Sequence, residues 1–250
     1  MSNWAIVTGA GSGIGRALSV ELARNYGLRV LAVGRHLTTL QETQKLFPDF
    51  IEPLAADVSR DEDRAKIARR MSGENIRFVI HNAAVLQPVK PLKDVSLEAW
   101  RAHFAINVEG PLFLTQKLLP LLAKGSRILH ISSGAAHHAY AGWGAYCTSK
   151  AALYMLYQVL NLELHEQGIF VGSVRPGVVD TPMQDQVRQA SKDVFPALDR
   201  FIQLRKEGKL FAPERVAKFI GKLLTATTDE TFISREWDIR EHENSLDFEV

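Results

Sequence analysis

Three side chains in the second half of the chain have the types and spacing of a proton-donating site. Tyr146 and Lys150 are four residues apart, and Ser133 lies thirteen residues before the tyrosine. If the leucines that follow mark a helix, Tyr146 and Lys150 lie on one face of it. The ammonium is then expected to lower the tyrosine pKa from about 10 toward the working pH, so that the hydroxyl can exchange a proton with a carbonyl oxygen. Ser133 ends an apolar run and is predicted to hold that oxygen at the carboxyl end of a strand.

The same residues also allow an interpretation without chemistry. Tyr146 could be a half-buried helix residue and Lys150 its solvated neighbour. Cys147 has no candidate base nearby in the sequence, so we interpret it as a packing residue rather than a reactive thiol. The elements that position these side chains must decide between the two interpretations.

Composition places the chain among ordinary globular proteins. It has 250 residues, of which 46% are hydrophobic and 23% charged, and this is enough for one large α/β domain over residues 1–250. The net charge of +2 is spread along the chain, which argues against a nucleic-acid or membrane surface. The single cysteine cannot form an internal disulfide, and no apolar run reaches the ~18 residues that span a bilayer. We expect a cytoplasmic protein.

Strand-like runs alternate with helical patterns along the whole chain. The runs are short, rich in Val and Ile, and apolar on successive residues, which is typical of strands buried on both faces. They are Trp4 to Thr8, Arg29 to Val33, Ile51 to Ala55, Arg77 to Ile80, Arg127 to Ile131, Phe170 to Val174 and Phe232 to Ile239. The fold class is therefore predicted as α/β, a doubly wound parallel sheet of about seven strands with helices on both faces.

The least regular segment is 180–208, which is interrupted by Pro182 and Pro196. It follows a strand end and is predicted to be a helical insertion over the carboxyl edge of the sheet. An insertion at that edge is a candidate substrate lid, and the alternative is a surface excursion without a role in catalysis.

A glycine-rich loop, Thr8-Gly-Ala-Gly-Ser-Gly-Ile-Gly15, follows the first strand and precedes a helix from Arg16 to Asn25. Glycines allow a tight turn and bring backbone N–H groups against a pyrophosphate at the positive end of the helix. This context predicts a Rossmann-type dinucleotide-binding domain.

The residue at the end of the second strand distinguishes NAD from NADP. An acidic residue there would accept the 2'-hydroxyl of NAD and repel the 2'-phosphate of NADP. The chain instead reads Ala32-Val33-Gly34-Arg35-His36, with a guanidinium that suits a phosphate. We predict NADP(H) with Arg35 as the phosphate ligand; the alternative is that Arg35 is a solvated residue that opens the next helix.

Taken in order, these motifs resemble the short-chain dehydrogenase/reductase family over nearly the whole chain. The resemblance implies that Asn107, Ser133, Tyr146 and Lys150 are catalytic, with Asn107 in a water chain that relays protons to Lys150. It implies adenine contacts for Asp57 and Val58, and nicotinamide contacts through Val179 and Thr181. The complete set of implied cofactor residues is Gly9, Gly11, Ser12, Gly13, Ile14, Gly15, Arg35, Asp57, Val58, Asn82, Ala83, Tyr146, Lys150, Pro176, Gly177, Val179 and Thr181.

The chain departs from the family pattern at two positions. The family's usual Asn-Asn-Ala-Gly is here His81-Asn82-Ala83-Ala84, so a methyl replaces a hydrogen and an imidazole replaces an amide. We interpret His81 as a hydrogen-bonded histidine at a strand end rather than a catalytic one.

Two segments resemble one branch of the family, which includes sepiapterin reductases and bacterial benzil reductases. They are Ser132-Ser-Gly-Ala-Ala with Gly142-Trp-Gly-Ala-Tyr-Cys-Thr-Ser-Lys150, and Gly177-Val-Val-Asp-Thr-Pro-Met-Gln184 continuing to Lys206-Glu-Gly-Lys-Leu210. The resemblance implies reduction of one ketone of a vicinal dicarbonyl. A largely apolar and aromatic substrate site is predicted from Leu86, Ser133, Tyr140, Trp143 and Met183, with His137 and His138 nearby. Trp143 could equally belong to the core, and Asp238, the candidate pterin anchor, could equally be a solvated strand end.

The function predicted from the sequence is therefore an NADPH-dependent reductase of an apolar or aromatic dicarbonyl. Two alternatives stay open: an NAD-linked alcohol dehydrogenase of a hydroxylated metabolite, and a regulator that senses NADP(H) without turnover. The helix after Lys150 is apolar almost all round, and family members pair through it, so we expect a homodimer or homotetramer. No metal site, nucleic-acid partner or membrane partner is predicted.

Overall fold

Seven parallel strands form the centre of the molecule. The computed structural model describes residues 3–243. Within them the strands are β1 Asn3–Thr8, β2 Arg29–Gly34, β3 Ile51–Ala55, β4 Asn75–His81, β5 Leu122–Ile131, β6 Phe170–Arg175 and β7 Glu236–Asp238. Their order is β3-β2-β1-β4-β5-β6-β7, and every pairing is parallel. Because the order reverses between β1 and β4, a crevice opens beyond the carboxyl ends of these two strands.

Helices cover both faces of the sheet, as predicted. They are α1 Gly13–Tyr26, α2 Leu37–Leu46, α3 Asp61–Arg70, α4 Leu97–Phe104, α5 Gly110–Leu118, α6 Gly144–Leu164, α7 Pro182–Arg188, α8 Leu198–Lys206, α9 Pro213–Thr225, α10 Asp229–Ile233 and α11 Ile239–His242. A π-helical turn, Ala105–Glu109, joins α4 to α5. One core holds Leu18 of α1 with Phe219 of α9, and the other holds Leu114 of α5 with Leu160 of α6. None of the helices in the described part of the chain is long and apolar enough to cross a membrane.

The segment 180–208 is helical and lies over the carboxyl edge of the sheet. It contains α7 and α8, and Phe195 between them is fully buried. A third apolar cluster joins Val187, Phe195 and Phe201 of this segment to Trp143 and Tyr146. The predicted insertion is therefore packed directly on the residues around the predicted catalytic tyrosine.

The last strand is shorter than predicted. Of the run Phe232 to Ile239, only Glu236–Asp238 is a strand, while Phe232 lies in α10. Thr228 begins that helix by accepting a hydrogen bond from Thr231 N. Local capping therefore outweighs the apolar pattern, because a short apolar run fits a buried helix as well as a strand.

Candidate active site

A cavity of about 1090 Å³ opens at the carboxyl end of the sheet, and the loops that follow six of the strands line it. Its wall includes every predicted cofactor residue except Gly15, together with Ser133, Tyr140, Trp143 and Met183. Two further predicted site residues, Asn107 and Asp238, do not line it. A space of this size holds a dinucleotide together with a small substrate.

The glycine loop packs so tightly that side chains are excluded from it. A Cβ on Gly15 would lie 2.3 Å from the Gly9 carbonyl oxygen, so Gly15 supports the loop from behind the cavity wall. Gly9 and Gly13 have φ angles of +68° and +50°, a left-handed conformation that favours glycine. The Ser12 side chain does not cap α1, and the first residues of this helix, Gly13 and Ile14, line the cavity. This cradle fits a pyrophosphate, and residues 9–15 would hold it.

Asn82 positions this loop from the neighbouring strand. Its Nδ2 donates to Thr8 O at 2.8 Å and to Gly9 O at 3.3 Å. The Thr8 hydroxyl in turn accepts from the backbone N–H groups of Asn82 and Ala83, each at 3.0 Å. The side chain of Asn82 thus binds the protein itself, and only the remaining surface of Asn82 and Ala83 is available for the predicted adenosine contacts.

Arg35 is an exposed cation at the adenosine end of the cavity. No ion pair of Arg35 occurs within residues 3–243. Arg16, the other candidate, is engaged elsewhere, because its Nη2 donates to Gly11 O at 2.6 Å and pairs with Glu42 at 2.8 Å. The geometry therefore leaves Arg35 as the guanidinium available to a phosphate.

The charge of the cavity wall is strongly one-sided. Among the described residues that line it, four carry a cation, Arg35, Lys150, Arg200 and Arg240, and only Asp57 carries a carboxylate. The Asp57 Oδ1 already accepts two hydrogen bonds from Ser59. Such a wall favours anionic ligands.

The predicted catalytic residues meet at the end of β5. Ser133 follows this strand and its hydroxyl hydrogen-bonds to Tyr146 on α6. Lys150 is buried one turn further along α6, and its Nζ donates to Ile131 O at 2.7 Å. That Nζ lies 5.8 Å from the centre of the Tyr146 ring. The predicted cluster of Ser133, Tyr146 and Lys150 is thus assembled, with the lysine tied to the strand.

The pKa shift of Tyr146 runs opposite to our prediction. Burial raises the pKa of Tyr146 to about 12, and the hydrogen bond with Ser133 only partly offsets that rise. Burial also lowers the pKa of Lys150 to about 8. Desolvation dominates because Lys150 is directed at Ile131 O rather than at the phenol oxygen. Tyr146 therefore keeps its proton at neutral pH and can donate it.

Asn107 acts on a neighbouring loop. In the π-helical turn, its Oδ1 accepts from Val85 N at 2.9 Å and its Nδ2 donates to Val85 O at 3.0 Å. The predicted proton relay to Lys150 stays a prediction.

Sequence reasoning missed His103, four residues before Asn107. Its Nδ1 lies 2.7 Å from Gln87 O, and its Nε2 lies 2.9 Å from Ser149 Oγ. A carbonyl only accepts, so Nδ1 carries the proton and Nε2 is the acceptor. The spacing of one helical turn before Asn107 was the signal available.

His81 and Cys147 are placed as predicted, and the structure also locates Ala84. His81 is buried and its Nε2 lies 2.9 Å from the Thr115 hydroxyl oxygen, so it is a hydrogen-bonded strand-end histidine outside the cavity wall. Ala84 lines the cavity. Cys147 packs in the third apolar cluster, where burial raises the pKa of its thiol and keeps it unreactive.

Aromatic rings form the substrate end of the cavity. The Trp143 ring lies 5.7 Å from the Tyr146 ring and stacks on Phe195 at 4.5 Å. Trp143 therefore belongs both to the wall and to the core. The other predicted substrate residues in the wall are Leu86, Ser133, Tyr140 and Met183, with His138 beside them. His137 lies outside the wall and contacts Glu236 at 2.6 Å.

Asp238 does not reach this end of the cavity, which corrects the predicted direct contact with substrate. Its side chain is fully buried. Asp238 Oδ1 accepts from the backbone N of Arg240 and from its Nε, both at 2.9 Å, and Oδ2 lies 3.3 Å from Arg175 Nε. The carboxylate holds Arg240, and it is Arg240 that lines the cavity.

Comparison with known proteins identifies the family. A model of the short chain dehydrogenases matches residues 3–192, which is most of the chain. The chain belongs to the short-chain dehydrogenase family. It is therefore an oxidoreductase with the fold and cofactor chemistry of that family.

Individual members of the family give a finer comparison. The chain is 35% identical over 233 residues to a benzil reductase ((S)-benzoin forming) of Bacillus cereus, a match that covers 88% of this chain and 93% of that protein. It is 32% identical over 245 residues to a benzil reductase of Bacillus subtilis (strain 168), with coverages of 94% and 98%.

Solved structures of the family share this fold. The KRED1-Pglu enzyme superposes with a TM-score of 0.86 at 31% identity, covering 94% of this chain and 100% of that one. A short chain dehydrogenase/reductase from Saccharomyces cerevisiae has a TM-score of 0.87 over the full length of both chains, and at 24% identity it supports the fold alone.

The buried Lys150 predicts a specific dependence of stability on pH. Below its folded pKa of about 8, Lys150 is charged in both the folded and the unfolded chain, and its burial destabilises the fold fully. Between about 8 and the ordinary value of 10.5, only the folded form loses the proton, so the penalty fades. We expect Lys150→Met to raise the free energy of unfolding by about 1–3 kcal/mol at neutral pH, measured by denaturant titration.

The pH series carries the decisive control. The gap between Lys150→Met and the parent protein should shrink as the pH rises from about 8 to 10.5. Lys218→Met on α9 removes an exposed lysine and should change stability by less than about 0.5 kcal/mol throughout. A gap that stays constant or widens above pH 8 would contradict the assignment of a buried ammonium.

Proposed function

We propose that the protein is an NADPH-dependent carbonyl reductase that reduces one ketone of an apolar or aromatic vicinal dicarbonyl. The observation that carries this proposal is the protonated, buried Tyr146, hydrogen-bonded to Ser133 beside an aromatic cavity wall. The benzil reductase relatives support the same substrate class.

The roles follow from where the side chains lie. The Ser133 hydroxyl donates to the substrate carbonyl oxygen and holds it next to Tyr146. When bound, the reduced nicotinamide supplies a hydride to the carbonyl carbon. Tyr146 then gives its proton to the oxygen, and the Lys150 ammonium stabilises the phenolate that remains. Asn107 keeps the Val85 loop in place beside them.

Residues of the cavity wall would hold NADP(H) at both of its ends. The glycine loop would hold the pyrophosphate, Arg35 the 2'-phosphate, and Asp57 with Val58 the adenine. The loop after β6, with Val179 and Thr181, would hold the nicotinamide carboxamide. We propose residues 1–250 as one NADP-binding domain in which 180–208 forms a substrate lid, and a cytoplasmic location consistent with the single cysteine.

The test is the initial rate of cofactor oxidation with benzil, a pterin diketone and a simple monoketone, each with NADPH and with NADH. We expect fast turnover of a diketone with NADPH only. A preference for NADH would favour an NAD-linked alcohol dehydrogenase instead. Tight NADPH binding without turnover of any ketone would favour a redox sensor.

The Arg35 assignment has its own variant. Arg35→Asp should lower the NADPH to NADH preference by at least about tenfold, because a guanidinium–phosphate pair is replaced by a repulsive one. Arg24→Asp makes the same charge change at an exposed site outside the cavity and should leave the preference unchanged. If the two variants have the same NADPH to NADH preference, Arg35 does not bind the 2'-phosphate.

We further propose a homodimer or homotetramer that pairs through α6. This helix leaves three apolar side chains exposed, Met155 at 56%, Val159 at 41% and Leu162 at 72%. A contiguous apolar face of this kind is typical of an interface.

Sedimentation of the protein at micromolar concentration should give a dimer or a larger oligomer. Leu162→Lys should shift it toward monomer, whereas Leu97→Lys, at another strongly exposed leucine on α4, should not. Sedimentation of the parent protein as a monomer would contradict the proposal.

A further inference from the structure

Two of the four cations in the cavity wall lie at its substrate end, where the sequence predicted an apolar site. They are Arg200 on α8 and Arg240 on α11, and both line the cavity. Neither belongs to the cofactor residues described above. Two cations in this position can bind an anionic group of a ligand.

Arg240 is held in place by a buried carboxylate. Asp238 binds its Nε and one Nη2 proton and is itself fixed by Arg175. A guanidinium has five N–H donors, so Arg240 keeps three of them for other acceptors. About half of its side chain is exposed, at 49%, and the residue lines the cavity. Asp238 therefore presents Arg240 to the cavity rather than acting as an anchor.

Arg200 has no acidic partner. Its Nη1 donates to the Tyr140 hydroxyl at 3.3 Å, and no carboxylate of residues 3–243 forms an ion pair with it. The other two arginines of the same insertion, Arg188 and Arg205, share the carboxylate of Asp185. The guanidinium that lines the cavity is thus the one left without a counter-charge.

Tyr140 connects the two arginines to the reacting centre. Its hydroxyl accepts from Arg200. The pKa of Arg240 is raised mainly by its hydrogen bond with Asp238, and Tyr140 adds a smaller contribution to that rise. The Tyr140 ring lies 5.2 Å from Trp143, whose ring is 5.7 Å from Tyr146. An anion held by both arginines would therefore be separated from the carbonyl at Tyr146 by about one aromatic group.

We propose that Arg200, Arg240 and Tyr140 form a carboxylate-binding subsite, and that the substrate is an aryl ketone or dicarbonyl with an acidic group at the end remote from the reduced carbonyl. This inference rests on the proposed ketone reduction at Tyr146. A planar guanidinium can pair with a carboxylate through two parallel hydrogen bonds. Arg200 has no ion pair within residues 3–243 and can form such a pair, while Arg240 can add the N–H donors that Asp238 leaves unused.

The test compares benzil with 4-carboxybenzil, which differ only by the acidic group. In the parent protein, kcat/KM with NADPH should be about tenfold higher for the carboxylated diketone, and added salt should reduce this ratio. Arg200→Gln should bring the ratio close to one, mainly through KM, while Arg200→Lys should keep part of it. Arg205→Gln, on the same helix but outside the cavity wall, should leave the ratio unchanged.

The outcomes separate this inference from the function on which it rests. Reduction of both diketones with equal kcat/KM, or a ratio that Arg200→Gln does not change, would overturn the subsite and leave the reductase standing. Reduction of neither diketone would overturn the proposed reductase and the subsite together. Unchanged folding of the Arg200 variants is checked by their melting temperatures, since Arg200 is exposed and its replacement is expected to have little effect on stability.

Discussion

The hydrogen bond from Lys150 Nζ to Ile131 O joins the two elements on which the site depends. One is the helix that carries Tyr146, and the other is the strand that presents Ser133. An ammonium at this depth is unfavourable for folding, because burial outweighs the attraction of Glu236 and moves the Lys150 pKa down to about 8. In the proposed mechanism its charge stabilises the phenolate of Tyr146. The fold is thus less stable because it holds this charge in one position.

Two asparagines hold the neighbouring loops in place. Asn82 fixes the glycine loop after β1 through Thr8 and Gly9, and Asn107 fixes the loop after β4 through Val85. Both use side-chain amides to satisfy backbone groups that the sheet no longer pairs at its carboxyl edge. Hydrogen bonds within the protein itself therefore hold the backbone of the loops that form the crevice. This favours precise positioning of the reacting groups.

Much of this arrangement could be predicted from the sequence. The parallel α/β fold class follows from the alternation of apolar runs and helical patterns, and the glycine loop and Tyr146 with Lys150 depend on short, local spacings. What failed depends on contacts between distant segments. Arg175, which pairs with the buried carboxylate of Asp238, lies far from it in the chain, and the Tyr146 pKa depends on burial that only the packed fold defines. Arg200 was missed for the same reason, since α8 folds back over the sheet from the far end of the insertion.

The most direct test of the central claim is a single-turnover measurement of hydride transfer from NADPH to benzil in Tyr146→Phe, followed by the loss of reduced-nicotinamide absorbance. The phenyl ring keeps the packing against Trp143 and removes only the proton donor. If Tyr146 gives the proton, the rate should fall by about 100- to 10,000-fold while NADPH affinity stays near that of the parent protein. A variant that transfers hydride at the parent rate would contradict the account.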